Sequence, residues 1–152
     1  MRIIHTDGKD IDFIKLCRLL DDYLNNIVGG EKQRSQYIQY NTLDDIHDVI
    51  LIYDNMIPVA CASFKAYDQF IAEVKRVFVR EEYRGQGLSK QLMSNLEEKA
   101  RTKGFTKLIL ETGVPLIEAT GLYNKIGYKR IENYGQYRDM KDSLCMEKII
   151  IP

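Results

Sequence analysis

Neither sign of charge is in excess: 22 Lys and Arg residues stand against 22 Asp and Glu, for a formal net charge of +0. A nucleic-acid footprint ordinarily shows as a strongly basic balance, so no nucleic-acid partner is expected, and local charge has to carry any reading of ligands. Cysteine is scarce. The three present, Cys17, Cys61 and Cys145, are odd in number and far apart, which suits neither a disulfide framework nor a zinc site with close ligand pairs. They read as buried thiols in a reducing compartment. Histidine is rarer still, with only His5 and His47, which read as surface or strand-end residues; no metal is expected. No apolar run approaches the roughly 20 residues that span a bilayer, and no basic stretch followed by an apolar segment marks a signal peptide. A cytoplasmic protein with no membrane association is expected. Linkers rich in Pro or Ser, internal repeats and low-complexity tracts are also missing. One domain over 1–152 follows, of a size that buries roughly 70% of the surface its unfolded chain exposes.

The apolar pattern that is present gives an order of elements. After a short apolar start at Arg2 to His5, Asp10 to Asn26 carries Ile11, Ile14, Leu20 and Leu24 at helical spacing, with Phe13, Leu16 and Cys17 beside them. Val28-Gly29-Gly30 should end that helix, and Lys32 to Tyr40 could form a second. Asp48 to Tyr53, a turn at Asp54-Asn55, and Ile57 to Ala66 read as a hairpin, followed by a strand from Phe70 to Val79. Leu88, Leu92, Leu96 and Ala100, with Met93, form one stripe of a longer helix that Gly104 stops. Lys107 to Glu111 reads as a strand, Leu116 to Lys125 as a short helix closed by Gly127, and Tyr128 to Glu132 and Leu144 to Ile151 as the last strands. Alternating strands and helices of this kind build an α/β mixed sheet with helices on both faces.

The most informative stretch runs from Val79 through Arg84-Gly85-Gln86-Gly87-Leu88-Ser89-Lys90. It joins a strand of buried type to an amphipathic helix through glycines and bases. Glycines let backbone approach a ligand, and a helix start offers unpaired N–H groups and a positive dipole end, so such a loop can hold phosphate. A Walker loop is excluded, because no Gly-Lys-Ser/Thr unit follows at the required distance. A dinucleotide fingerprint would need a third glycine where Lys90 stands. On this loop alone, a plain glycine-containing turn before a helix is the competing explanation.

The segment Arg84-Gly85-Gln86-Gly87-Leu88-Ser89 resembles the coenzyme A loop of the GNAT superfamily, whose pattern is Arg or Gln, two residues, Gly, one residue, then Gly or Ala. Ser89 replaces the last small residue. The likeness continues through Glu73 to Val79, Leu110 to Gly113, Ala119 to Tyr128 and Cys145 to Lys148, about half of the chain. The resemblance implies an α/β, single-domain, mixed and mostly antiparallel central sheet flanked by helices on both faces. It also implies transfer of an acetyl group from acetyl-CoA to a primary amine by direct attack, the amine belonging to a small molecule or to a protein. Arg84, Gly85, Gln86, Gly87, Leu88, Ser89 and Lys90 would hold the pyrophosphate, with Val77, Phe78, Val79 and Asn124 also on the coenzyme. Homodimer formation is common among such proteins and is left open here.

Aminolysis of a thioester needs a base for the amine, an N–H donor for the oxyanion and an acid for the leaving thiolate. On the resemblance Tyr123 is the acid, Glu73 the base and a backbone N–H near Val79 the oxyanion donor. Period-two alternation puts Glu73 on one strand face with Lys75, Val77 and Val79. Glu111 is the alternative base. Each has an ordinary counterpart: Tyr123 as a core aromatic, Glu73 as a solvated or paired carboxylate, Glu111 as a partner of a nearby loop. Tyr128, Tyr134, Tyr137 and Arg138 read either as one wall of an acceptor groove or as a solvent-exposed loop. The alternative for the whole chain is an acyl-CoA-binding sensor or interaction module without transfer.

Overall fold

Asp10 starts the first helix, since its Oδ1 accepts hydrogen bonds from the amides of Asp12 (2.8 Å) and Phe13 (3.2 Å), satisfying donors that a helix start leaves open. The helix, α1, spans Ile11–Ile27. The computed structural model describes residues 1–27, 43 and 45–151, the side chain of Ile27 apart. The expected Val28-Gly29-Gly30 stop and the helix expected over Lys32 to Tyr40 lie outside the described residues. The strands are β1 (Arg2–Thr6), β2 (Asp48–Asp54), β3 (Ile57–Ala66), β4 (Ile71–Val79), β5 (Lys107–Gly113), β6 (Lys129–Ile131) and β7 (Ser143–Ile149), and the remaining helices are α2 (Leu88–Thr102) and α3 (Ile117–Lys125). The seven strands form one sheet in the order β1-β2-β3-β4-β5-β7-β6. It is mixed and mostly antiparallel, with β4 and β5 parallel.

The chain divides into two compact units, Met1–Lys65 with Lys75–Leu96, and Ala66–Val74 with Glu97–Pro152. In the first unit, α1 buries Phe13, Leu16, Cys17 and Leu20 against Val49, Leu51 and Tyr53 of β2, Cys61 of β3 and Phe78 of β4. Of the apolar residues expected on the buried face, Ile11 is 71% exposed; it opens the helix beside its capping aspartate. Between β2 and β3, Asn55 takes a left-handed φ of 55°, a conformation that asparagine tolerates. In the second unit, β5 registers with β4 over three pairs, Ile71↔Lys107 to Glu73↔Ile109, and with β7 over its whole length, Lys107↔Ile149 to Gly113↔Ser143. Leu108, Leu110, Cys145 and Met146 of this ladder are buried, as is Ala100 of α2, while Leu88, Leu92, Met93 and Leu96 of α2 are buried residues of the first unit. A fully buried Leu stabilises by roughly 1.5–3 kcal/mol. No helix among the described residues is long and apolar enough to cross a membrane.

Gly8 turns the chain from β1 into α1, and a Cβ there would meet the carbonyl oxygens of Ile46 at 2.6 Å and Leu43 at 2.9 Å, while its own N–H donates to Ile46 O (2.9 Å). Backbone cannot retreat as a side chain can. Gly8→Ala should therefore destabilise the fold by about 1–3 kcal/mol, read as a lower denaturant midpoint at unchanged slope; an unchanged midpoint would show that the turn relaxes freely.

Candidate active site

The loop between β4 and α2 is shaped by two glycines. Gly85 and Gly87 both have φ of 78°, and a Cβ built on either would meet no atom of the described residues within 4 Å. The left-handed backbone, not crowding by a described residue, is what asks for glycine here. The 3₁₀ turn Glu81–Tyr83 precedes it, an element the apolar pattern does not announce. Its amide bonds, Tyr83 N–H to Arg80 O (2.9 Å) and Arg84 N–H to Glu81 O (3.2 Å), fix the approach, and at the start of α2 the backbone bond from Gln91 N–H reaches Gly87 O (3.2 Å). The amides of the first turn, Leu88, Ser89 and Lys90, lie at the positive end of the helix. Leu88 is buried, Ser89 half-buried, and Gly85, Gln86, Gly87 and Lys90 exposed. An anion with several oxygens fits this arrangement.

The Arg84 side chain also packs back on the strand end. Its Nε donates to Val79 O (3.0 Å), and its guanidinium lies over the rings of Tyr23 (4.5 Å) and Phe78 (5.8 Å). It braces the end of β4 and adds charge nearby, with its planar fork turned to the aromatic side. Arg80 completes the brace through Nε to Pro58 O (2.7 Å) and N–H to Val59 O (2.9 Å). Phe78 and Val79 are consequently buried, and Val77 half-buried.

Strict alternation along β4 does not hold. Arg76 has a φ of 58°, left-handed in the middle of a strand, which costs a residue with a Cβ about 1–3 kcal/mol. Residues on either side of it no longer share one alternating phase, so Glu73 and Val79 cannot be assigned to one face by counting.

The second unit holds the remaining candidates. Tyr123 is 7% exposed, and burial lifts its phenol well above the ordinary range. Its ring meets that of Tyr128 edge-on at 5.5 Å. Its carbonyl accepts from Tyr128 N–H (2.9 Å), and that of Asn124 from Gly127 N–H (3.3 Å), the closure of a Schellman-type helix end. Asn124 itself is exposed. Tyr128 is tied further by its hydroxyl to Glu97 (3.4 Å), which also accepts from Lys148 Nζ (2.9 Å). Burial, then the Glu97 charge, raises the Tyr128 phenol as well.

Glu73 is buried, 2% exposed, and accepts from the Tyr134 hydroxyl at 2.6 Å. Tyr134 packs edge-on against Tyr67 (5.5 Å) and Tyr137 (5.7 Å), and Tyr137 is buried in the 3₁₀ turn Gly135–Tyr137. The solvent-exposed reading of these tyrosines therefore fails, although Arg138 is exposed. Glu111 faces Cys145 across the β5/β7 ladder, and Glu73 pairs with Ile109 two residues before it. Both carboxylates act on the same neighbours: burial and then the charges of Glu111 and Glu73 raise the Tyr137 phenol, and Cys145 is pushed up to about 11 by burial, with both charges contributing. The fold thus places the two candidate bases beside one another. The hydrogen bond from Tyr134, 61 residues along the chain from Glu73, carries no signal in the sequence.

All three cysteines are buried free thiols. His5 lies exposed on β1 and His47 exposed before β2, as expected of surface residues.

Comparison with known proteins gives this geometry its context. The acetyltransferase (GNAT) family model matches residues 14–128. An IAA acetyltransferase of Azospirillum brasilense is 30% identical over 136 residues, covering 89% of this chain and 88% of its own. Among solved structures, a Klebsiella pneumoniae protein described as an acyl-CoA N-acyltransferase superposes with a TM-score of 0.80 at 26% identity, covering 99% of this chain and 97% of its own. A GNAT acetyltransferase from Elizabethkingia anophelis with acetyl-CoA bound shares the fold at a TM-score of 0.67 and 22% identity, covering 97% of each chain. The loop geometry, the strand order and a family match over most of the chain lead to one assignment: this chain belongs to the GNAT family of acetyltransferases.

Proposed function

We propose that this acetyl-CoA-dependent N-acetyltransferase acts by direct attack of a primary amine, with the Arg84–Lys90 loop as its pyrophosphate cradle, Tyr123 as general acid and Glu73 as general base. The observation that carries the cofactor assignment is the loop itself: two left-handed glycines that no described residue crowds, leading into the first turn of α2. Gln86, Gly87, Leu88, Ser89 and Lys90 would supply amide donors, Lys90 an ammonium, and Val77, Phe78 and Val79 the backbone edge beside the pantetheine arm, with Asn124 as a further contact. The bound coenzyme supplies the activated acetyl thioester. Tyr123, held protonated by burial, donates toward the departing sulfur, and Glu73, steadied by Tyr134, takes the proton that the amine gives up, either itself or through water. A backbone N–H near Val79 holds the oxyanion, since a fixed amide needs no reorganisation. The family match draws on residues of both units, which supports reading the chain as one catalytic domain. The relative acting on IAA suggests a small-molecule acceptor.

Calorimetry of acetyl-CoA against NAD and ATP, followed by thiol release on a panel of small primary amines and amine-bearing peptides, tests this reading. Selective binding of acetyl-CoA with thiol release on at least one amine is expected. Absence of selective binding would remove the cradle assignment, and binding without release on any amine would remove the proposed amine transfer.

A further inference from the structure

Arg76 holds a backbone conformation that a residue with a side chain seldom adopts, φ 58° in mid-strand. Such a conformation persists only where surrounding contacts over-determine it. Its guanidinium donates from Nη1 to Asp21 Oδ1 of α1 at 2.6 Å and from Nη2 to Asp21 Oδ2 at 3.4 Å. Its carbonyl accepts from the Cys61 thiol at 3.2 Å, and the preceding carbonyl, of Lys75, accepts from the Ser63 hydroxyl at 2.5 Å. Carbonyls that a kink turns out of the ladder are thus answered by side chains of β3. The Arg76 side chain is 9% exposed and that of Asp21 40%, so the guanidinium is largely removed from water and has the carboxylate as a charged partner. A planar fork held at two points also fixes direction, which a single contact would not. Val77, the next residue, begins the stretch assigned to the coenzyme.

We propose that Asp21 is a positioning residue for acetyl transfer: through Arg76 it holds the left-handed kink that aims the Val77–Val79 backbone at the coenzyme. The inference rests on the assignment of Val77–Val79 above. Displacement of a reacting group by about 1 Å costs up to about 100-fold in rate, so a kink that wavers should be felt in turnover before it is felt in folding.

A double-mutant cycle tests it. Asp21→Asn should lower kcat about tenfold and weaken acetyl-CoA binding, measured calorimetrically, several-fold, whereas Asp21→Glu should restore most of both. In an Arg76→Gly background the backbone reaches positive φ without the ion pair, so Asp21→Asn should add no further loss. Equal losses in both backgrounds would overturn the proposal, because Asp21 would then act by another route. So would an unchanged kcat and affinity, or a fall in thermal midpoint alone, which is what a merely structural ion pair would give. Acetyl-CoA binding to the unaltered protein is measured alongside: its absence would overturn the coenzyme assignment and this inference together, while normal binding with additive losses would overturn the role of Asp21 alone.

Discussion

Replacing Tyr123 by phenylalanine is expected to lower kcat by about 100- to 1,000-fold while leaving acetyl-CoA affinity nearly unchanged. The ring remains, and with it the edge-on contact to Tyr128 at 5.5 Å, so the helix end should survive. What is lost is one hydroxyl proton. An ordinary phenol titrates near pH 10 and an ordinary thiol near 8.5, so full proton transfer to a thiolate is uphill by about 2 kcal/mol, and burial raises the Tyr123 phenol further. The group should therefore act by hydrogen-bonding to sulfur as charge develops, a contribution in the range typical of general acids, about 100- to 10,000-fold. The sign of the shift gives a second observable. The acid must be protonated, its folded pKa lies above the ordinary one, and so the kcat profile should show no alkaline decline from this residue below about pH 10. Steady-state kinetics with a proven acceptor decides the matter; an unchanged kcat in Tyr123→Phe would remove the phenol from the chemistry.

The second large effect is expected at Gly87. Gly87→Asp should weaken acetyl-CoA binding about 100-fold, with Gly87→Ala losing about tenfold. Aspartate enters left-handed backbone more readily than most residues, so at a φ of 78° the turn itself can persist. The penalty comes from placing a carboxylate where a pyrophosphate is to sit. Like charges about 4 Å apart repel by about 4 kcal/mol at an effective dielectric constant near 20, and partial exposure and salt reduce this toward the stated factor. The difference between the Asp and Ala variants should therefore shrink as salt is added. Calorimetric titration at two ionic strengths reads both effects, and affinity equal to that of the unaltered protein in Gly87→Asp would sink the cradle assignment.

Much of the architecture was legible because apolar spacing is a direct record of burial. The stripe Leu88, Leu92, Leu96 and Ala100 and the hairpin of β2 and β3 appear where that spacing puts them. Where the reading failed, the deciding contacts were remote in sequence or lay in the backbone. The phase change at Arg76 is held by Asp21, 55 residues away, and no local preference of arginine announces a positive φ. The family pattern marks Arg84 for the coenzyme, and nothing in it announces the further contacts of that side chain with the Val79 carbonyl and the Tyr23 ring. Tyr134 was visible as an aromatic among others; its bond to Glu73 depends on how the 3₁₀ turn Gly135–Tyr137 carries the chain back toward β4. Glu97 of α2 is buried with Lys148 and Tyr128 as partners, contacts made 51 and 31 residues along the chain.

The tyrosines packed in the second unit give the protein an optical signature. The chain has no tryptophan and ten tyrosines, so tyrosine dominates its near-ultraviolet absorbance. Burial is the first cause that raises the phenols of Tyr123, Tyr128, Tyr134 and Tyr137, and each therefore binds its proton more tightly folded than unfolded. Their contribution to stability is complete below the ordinary phenol pKa near 10 and is withdrawn as pH rises from there toward the folded values. The ionisation of these four phenols and the loss of the fold should then coincide in one cooperative step, so that their ultraviolet absorbance in alkali reports the integrity of the Tyr123 and Glu73 surroundings without any ligand or label.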